Sequence, residues 1–334
     1  MILHIASDNT KHIIYPFIKF VNQYFDNKEH FFILCSKNKD TQRFKNAITK
    51  DIFTQTDFFI QQMRKSDKII LHGFWYDKIF EIYQNNPIFF EKTFWYAWGG
   101  EYYYSKGDTH KWFIKNIKHI IHFMREEFLY IKNRYDTNAK FYEYLIYDLH
   151  TYAWNVSLKK KKKQKIIQVG NSSDPSNNHL EVFFKLNKFK NIKLFCPLVY
   201  GDKYYKRYIT IKGRKLFKSN IFIMEKNVTL EQYIELLNDV EIAFFNHRRQ
   251  QSLGNITSLL IMGKKVYINN KITTWKFFQR KGIKIFNINS QIDLKPLNKW
   301  SVSRNKNILK RLFSKERIKN DLAQLFNCSL KGKK

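Results

Sequence analysis

Cysteine is scarce in this chain: three residues, Cys35, Cys196 and Cys328, in 334. Odd in number and far apart, they exclude a disulfide framework and a cysteine-based zinc site, and they read as the reduced thiols of a cytosolic protein. Carboxylates are also few, 28 Asp and Glu against 60 Lys and Arg, which leaves a formal net charge of +32. Such an excess points to a polyanionic partner: nucleic acid, an anionic membrane surface or a phosphorylated substrate. A compositional origin is the alternative reading, since Lys, Asn, Ile, Phe and Tyr are abundant together, as in AT-rich coding sequence. No apolar run approaches the roughly 18 residues that a membrane-spanning helix needs. Residues 1–5 meet polar Ser7-Asp8-Asn9 too soon for a signal peptide. Any membrane association is therefore expected to be peripheral. No His/Cys/Asp cluster has metal-ligand spacing, and neither a G-x-S-x-G nor a Walker sequence occurs. The expectation is chemistry without a metal or other cofactor.

What is present is enough for real cores: 44% hydrophobic residues over a length that favours two domains. Residues 2–6, 31–35, 68–71, 93–98 and 119–123 read as strands, with a weaker one at 48–52. They alternate with helical stretches at 12–24, 58–65, 74–84, 112–118 and 125–135. In the helix at 12–24, Phe17, Phe20, Val21 and Tyr24 form the expected apolar face. Residues 141–146 close this half. Five consecutive lysines at 159–163 read as a solvated linker. The alternation then restarts, with strands at 165–169, 191–196, 221–224, 240–245 and 265–268. Helices are expected at 204–216, 229–237 (opened by a Thr229/Gln232 capping box), 255–262, 275–281 and 305–326. The expected domains are 1–155, a linker at 156–164, and 165–334, with the last helix able to pack back on the first domain. Strands alternating with helices imply mostly parallel sheets, and two such halves imply a cleft between them. Ligands of such sheets bind beyond the carboxyl ends of the strands.

The chain is organised around I-I-Q-V-G-N-S-S-D-P-S-N-N-H-L at 166–180, a strand, a Gly/Ser/Asn loop and a helix start. That arrangement presents backbone N–H groups to a phosphate. Alone it is an ordinary βα turn. A second such turn, F-N-H-R-R-Q-Q-S-L-G-N at 245–255, changes the reading. Two turns in one half suit a nucleotide diphosphate. Gly170, Asn171, Ser172 and Ser173 in the first, and Gly254 and Asn255 in the second, are candidate donor-binding residues. Arg249 offers a bidentate guanidinium, and Gln250 and Gln251 offer amide donors. Asp174 is expected to cap its own helix instead of facing a diphosphate. In the first half, Ser7, Asp8, His72, Gly73 and Glu101 gather at strand ends. A carboxylate there can deprotonate an acceptor hydroxyl; Glu101 is the first choice and Asp8 the second. Ser7, His72 and Gly73 are assigned to the acceptor side.

At these residues the sequence resembles a known family, the TDP-N-acetylfucosamine:lipid II N-acetylfucosaminyltransferases, also called 4-alpha-L-fucosyltransferases, glycosyltransferase family 56. The resemblance rests on Val169-Gly170-Asn171-Ser172 with Asp174, Ser176, Asn177 and His179, and on Arg249-Gln250-Gln251 with Gly254. It extends to His72-Gly73, Phe94-Trp95 with Trp98-Gly99, and Ser7-Asp8. Ser252, Glu101 and Asn255 depart from that pattern, where Gly, Asp and Thr are expected. The resemblance implies a GT-B architecture, two Rossmann-like domains facing across a cleft. It implies a TDP-sugar donor, such as TDP-Fuc4NAc, on the C-terminal side and a polyprenyl-diphosphate-linked glycan acceptor on the N-terminal side. The setting it implies is the anionic inner face of the cytoplasmic membrane, in enterobacterial common antigen or O-antigen (lipopolysaccharide) synthesis. The competing readings are a GT-B enzyme of another family using a UDP- or GDP-sugar, and a basic nucleic-acid-binding protein, favoured by charge and by 17% aromatic residues. Most of those aromatics fall at core-facing positions, which argues against a nucleic-acid partner.

Overall fold

The computed structural model describes residues 1–37, 43–74, 76–104, 107–148, 151–154, 156 and 164–328. The lysine run at 159–163 lies outside the described residues. The chain divides into two compact units, Met1–Leu149 with Phe313–Lys334, and His150–Leu312.

Among the described residues, the first unit carries a seven-stranded sheet built from β1 (Ile2–Ser7), β2 (His30–Cys35), β3 (Ala47–Lys50), β4 (Lys68–His72), β5 (Thr93–Tyr96), β6 (His119–Ile121) and β7 (Lys140–Tyr142). The order is β3-β2-β1-β4-β5-β6-β7, and every pair is parallel. The central strands read as continuous apolar runs because both faces are covered by helices. Leu3, Ile33, Ile69, Leu71 and Trp95 form one core layer with Phe59, Met63 and Phe113. The order reverses between β1 and β4, so the loops that begin at Asp8 and at Gly73 flank the switch point, where such sheets hold ligands.

The second unit repeats the plan. Its strands are β8 (Lys165–Val169), β9 (Ile192–Pro197), β10 (Ile221–Met224), β11 (Val240–Phe245), β12 (Lys265–Ile268) and β13 (Phe286–Asn287). Their order is β10-β9-β8-β11-β12-β13, again all parallel. Here the switch point lies between β8 and β11, so the two glycine-bearing turns leave adjacent strands at the same sheet edge.

Several expected elements are corrected. The helix at 12–24, observed as Lys11–Tyr24, buries Ile14, Phe17, Ile18 and Val21, while Tyr24 faces solvent. The helix expected from residue 74 starts at Lys78, because Gly73 turns the chain at φ 75° and the Phe74 N–H is bonded elsewhere. The strand at 93–98 stops at Tyr96, and a short helix, Gly99–Tyr103, follows. The single helix at 305–326 is two, Lys299–Leu312 and Lys315–Asn327. The break falls where Ser314 caps the second by accepting from the Arg317 N–H at 3.1 Å. That last helix belongs to the first unit, and Lys68 of β4 fixes it there. The buried Lys68 ammonium donates to the carbonyls of Leu325 (2.5 Å), Phe326 (2.9 Å) and Cys328 (3.1 Å), satisfying the open C-terminal end of the helix. Burial lowers its pKa to about 8.

Buried histidines are a second common feature. His4 bridges His72 and His30 at 3.0 Å on each side, and the far nitrogen of His72 meets the Tyr147 hydroxyl. Desolvation is the leading cause in each case, and it holds His30 near 4, His72, His122, His179 and His247 near 3, and His4 well below its usual range. All are neutral in the fold and protonate near 6.5 once unfolded. Between those values the unfolded chain binds more protons, so stability is present above about pH 6.5 and is lost as pH falls towards 4. At pH 5 each such histidine costs about 2 kcal/mol. The urea midpoint should therefore drop steeply between pH 7 and pH 5; equal midpoints at the two pH values would contradict the neutral buried assignment.

Candidate active site

The turn after β8 is shaped by one glycine and one asparagine. Gly170 sits at φ 66°, and a Cβ there would fall 2.4 Å from His179 Nε2 and 2.8 Å from Asn177 Oδ1, so only glycine fits. The Asn177 side chain reaches back into the loop it follows. Its Oδ1 accepts from the Asn171 N–H at 3.0 Å, and its Nδ2 donates to Ser172 Oγ at 3.1 Å and to the Asp174 carbonyl at 3.0 Å. Tyr200 closes the other side: its carbonyl accepts from the Ser173 N–H (2.7 Å) and Oγ (2.8 Å), and its hydroxyl accepts from Asn171 Nδ2 (2.8 Å). The adjoining Gly201, at φ 117°, lets the two segments touch; a Cβ there would lie 2.6 Å from the Asp174 nitrogen. Asp174 caps a short 3₁₀ turn, Pro175–Asn177, accepting from the Ser176 N–H at 2.8 Å.

The turn after β11 is bonded to the first. The Arg248 N–H donates to the Ser176 carbonyl (2.9 Å), Gln251 Nε2 to Ser176 Oγ (2.9 Å) and His247 Nε2 to Asn177 Oδ1 (3.2 Å). Arg249 Nη2 pairs with Asp174 Oδ2 at 2.7 Å, and its Nη1 donates to the Gln250 carbonyl at 3.1 Å. Asp174 is thus both cap and counter-ion, and its pKa is lowered: its hydrogen bonds to Ser176 and Arg249 outweigh the upward push of partial burial, the largest single contribution. Ser252, at φ 59°, then leads into the helix Leu253–Ile261, whose first N–H groups have no partner within the helix. Gly254 is in that first turn. Asn255 is held on its side: Oδ1 accepts from Gln168 Nε2 at 3.3 Å and Nδ2 donates to the Tyr233 hydroxyl.

Around these two turns the structure leaves polar atoms buried without a hydrogen-bond partner: Gln168 Oε1, Asn171 Oδ1, His179 Nε2, His247 Nδ1 and Ser252 Oγ. An atom left without a partner costs about 1–3 kcal/mol, so the cluster is polar surface with hydrogen bonds still to make. The donation from His247 Nε2 puts the ring proton there and leaves Nδ1 as a bare acceptor.

In the first unit the outcome differs. Glu101 is corrected as a base. Its side chain is buried, with Oε2 accepting from the Phe74 N–H (2.7 Å) and Oε1 from Trp95 Nε1 (3.0 Å) and the Trp98 N–H. It ties the loop after β4 to the loop after β5 and has no open side for an acceptor hydroxyl. His72 is corrected as an acceptor-side residue, since both ring nitrogens are consumed inside the unit. Ser7 is buried, its Oγ accepting from the Asn9 N–H (3.3 Å) and lying 3.4 Å from the Tyr76 hydroxyl, which donates to the Cys35 carbonyl. Gly73 supplies the positive φ that ends β4. Asp8 keeps a place at the rim. It accepts from the Ser36 hydroxyl and lies 3.6 Å from Lys11 Nζ, with its side chain 11% exposed. Asn177, Tyr200 and His247 are the structural centres that a motif search undervalues. The signal for Tyr200 was the glycine just after it; for His247, it was the position between a strand end and the arginines.

The sequence profile of the 4-alpha-L-fucosyltransferase glycosyl transferase group 56 matches residues 1–313. Among solved structures, Anabaena Alr3699/HepE in complex with UDP is similar over 98% of this chain and 100% of that one, at 8% identity and a TM-score of 0.70. A glycosyltransferase from Rickettsia africae ESF-5 matches over 98% and 94% of the two chains, at 13% identity and a TM-score of 0.60. The N-terminal domain of Candida albicans trehalose-6-phosphate phosphatase matches over 97% and 95%, at 10% identity and a TM-score of 0.67. At such identities the likeness is one of fold, and the fold is that of the GT-B class, with one Rossmann-like unit in each half.

The arrangement around Glu101 makes a test. Glu101→Gln turns one acceptor oxygen into an NH₂ group facing an N–H donor, at a cost of about 1–3 kcal/mol. The melting temperature should fall by roughly 3–10 °C. An unchanged melting curve with turnover reduced a thousandfold would restore Glu101 as the base.

Proposed function

The chain belongs to glycosyl transferase group 56, the 4-alpha-L-fucosyltransferases, and on that premise we propose that it moves a 4-acetamido-4,6-dideoxyhexose from a TDP-sugar to a polyprenyl-diphosphate-linked oligosaccharide. The observation that carries the donor side is the cluster of unpartnered buried atoms around two turns that are bonded to each other. We place the donor diphosphate against residues 170–173 and 249–255. Gln250 and Gln251 offer amides to phosphate or sugar oxygens. His247 Nδ1 and Asn171 Oδ1 are acceptors suited to donor hydroxyl or N–H groups.

The chemistry asks for two things. As the sugar–phosphate bond breaks, negative charge builds on the leaving nucleotide diphosphate. We assign that charge to the first N–H groups of Leu253–Ile261 and the guanidinium of Arg249; preorganised groups of this kind commonly contribute about 3–4 kcal/mol in the transition state. Asp174 holds Arg249 in place, so the cation need not reorganise. The attacking acceptor hydroxyl must lose its proton as its oxygen bonds to the anomeric carbon. With Glu101 consumed by structure, we assign that proton to Asp8.

Among the described residues no helix is long and apolar enough to cross a membrane. We place the work at the anionic inner face of the cytoplasmic membrane, where a lipid-linked acceptor resides. The segment 111–118 is a weak anchor: Phe113 is buried, Trp112 packs on Phe90, and Lys111 and Lys115 each pair with a carboxylate, Asp108 and Asp136, at 2.9 Å.

Product analysis with TDP-4-acetamido-4,6-dideoxyhexoses and a synthetic lipid-linked disaccharide tests the reaction; transfer from a UDP- or GDP-sugar alone would move the chain's chemistry to a different donor. Arg249→Ala should weaken TDP binding at least tenfold, about 1.4 kcal/mol, while Arg248→Ala, whose contribution to the turn is a backbone N–H, should bind like the parent. Parent-like binding by Arg249→Ala would displace the donor site. Asp8→Asn should lower kcat by about 10²–10⁴ with TDP affinity held; near-normal kcat would remove Asp8 from the base role.

A further inference from the structure

Away from both turns, the second unit carries a cavity of about 700 Å³ between the helices Thr273–Arg280 and Lys299–Leu312. Arg280, Lys281, Arg304 and Arg311 surround it, and Trp300 stands at its edge with 68% of its surface exposed. Trp300, Arg304 and Arg311 share one face of their helix, at i, i+4 and i+11. The Arg304 guanidinium lies 5.4 Å from the Trp300 ring centroid, a cation–π contact that holds both side chains at the opening. Gly282, at φ 71°, makes room for it; a Cβ there would lie 3.2 Å from Arg304 Nη2. Ile308 and Leu312 give the cavity an apolar wall. Residues 271–312 contain eleven Lys and Arg and one carboxylate, Asp293, and that carboxylate pairs with Lys265 at 3.2 Å.

We propose that this cavity is a phospholipid headgroup site that seats the second unit on an anionic bilayer. The proposal rests on the membrane reading above and names the surface that performs it. Guanidinium groups match a phosphodiester through paired N–H donors. An exposed indole beside them fits the headgroup level, where amphipathic rings settle. A free phosphate would engage the cations and leave the indole and the apolar wall without a task, which is why a lipid is the better occupant. Each cation brought to such a surface is worth about fivefold in partitioning.

The test is co-sedimentation of the full chain with phosphatidylcholine vesicles, with and without phosphatidylglycerol. Parent, Trp300→Ala, Arg304→Ala/Arg311→Ala and, as a comparison, Lys111→Ala/Lys115→Ala are measured at matched melting temperature. The parent should prefer the anionic vesicles. Arg304→Ala/Arg311→Ala should bind them more than tenfold more weakly and Trp300→Ala several-fold more weakly, with the comparison variant near the parent. Brominated lipid should quench parent fluorescence more than that of Trp300→Phe. If the parent shows no preference for anionic vesicles, the membrane reading fails and this proposal with it. If the parent binds and the groove variants bind equally well, only the groove assignment falls. Release of bound protein by millimolar inorganic phosphate at constant ionic strength, or equal affinity for single-stranded oligonucleotide, would overturn the lipid as occupant.

Discussion

The side-chain amide of Asn177 is the joint on which the second unit's switch point depends. One oxygen serves two donors, the Asn171 N–H of the first turn and the His247 ring of the second, while the nitrogen returns to Ser172 and Asp174. Every one of these bonds joins a loop that leaves a strand end, where backbone would otherwise be free to move. An aspartate at 177 would lose both donations from the nitrogen; an alanine would leave buried donors open at about 1–3 kcal/mol each. The Asp174–Arg249 pair lies nearer the rim. It adds less to stability than its length suggests, because partly exposed ion pairs are screened, but it fixes where a cation points.

The two units differ in where buried polarity gathers. In the first unit much of it is met internally. Histidines 4, 30 and 72 satisfy one another and Tyr147, Glu101 satisfies three N–H groups, and Glu127 accepts from the hydroxyls of Tyr102 and Tyr103. In the second unit it is left open at the edge where β8 and β11 end. A ligand-binding site needs the second condition and a rigid scaffold needs the first. That contrast is the physical reason to look for donor recognition in the second unit, and to leave proton transfer in the first to a rim carboxylate.

Most of the scaffold was legible in the sequence. The strands at 165–169, 240–245 and 265–268 coincide with the structure, because parallel strands covered on both faces write themselves as short apolar runs bounded by polar residues, and the edge strand at 221–224 coincides although Phe222 is exposed. The Thr229/Gln232 capping box is present as read, with both reciprocal bonds made. The family that the sequence resembles is the one whose profile matches residues 1–313. What escaped was tertiary. Nothing local shows that Glu101 points inward to Trp95, or that the last turn of a helix near the chain's end is capped by a lysine 257 residues away. The break at Ser314 was hidden because an amphipathic pattern runs through it, and a serine reads equally well inside a surface helix or as its cap.

The donor diphosphate cradle we propose is made by the two bonded turns of the second unit. A structure of the complex with TDP tests it most directly. The β-phosphate should lie at the N-terminus of Leu253–Ile261, within hydrogen-bond distance of the Arg249 guanidinium, with Asn177 and its four bonds unchanged. A nucleotide lodged elsewhere, with the Arg249 guanidinium still paired with Asp174 and out of reach of phosphate, would contradict it.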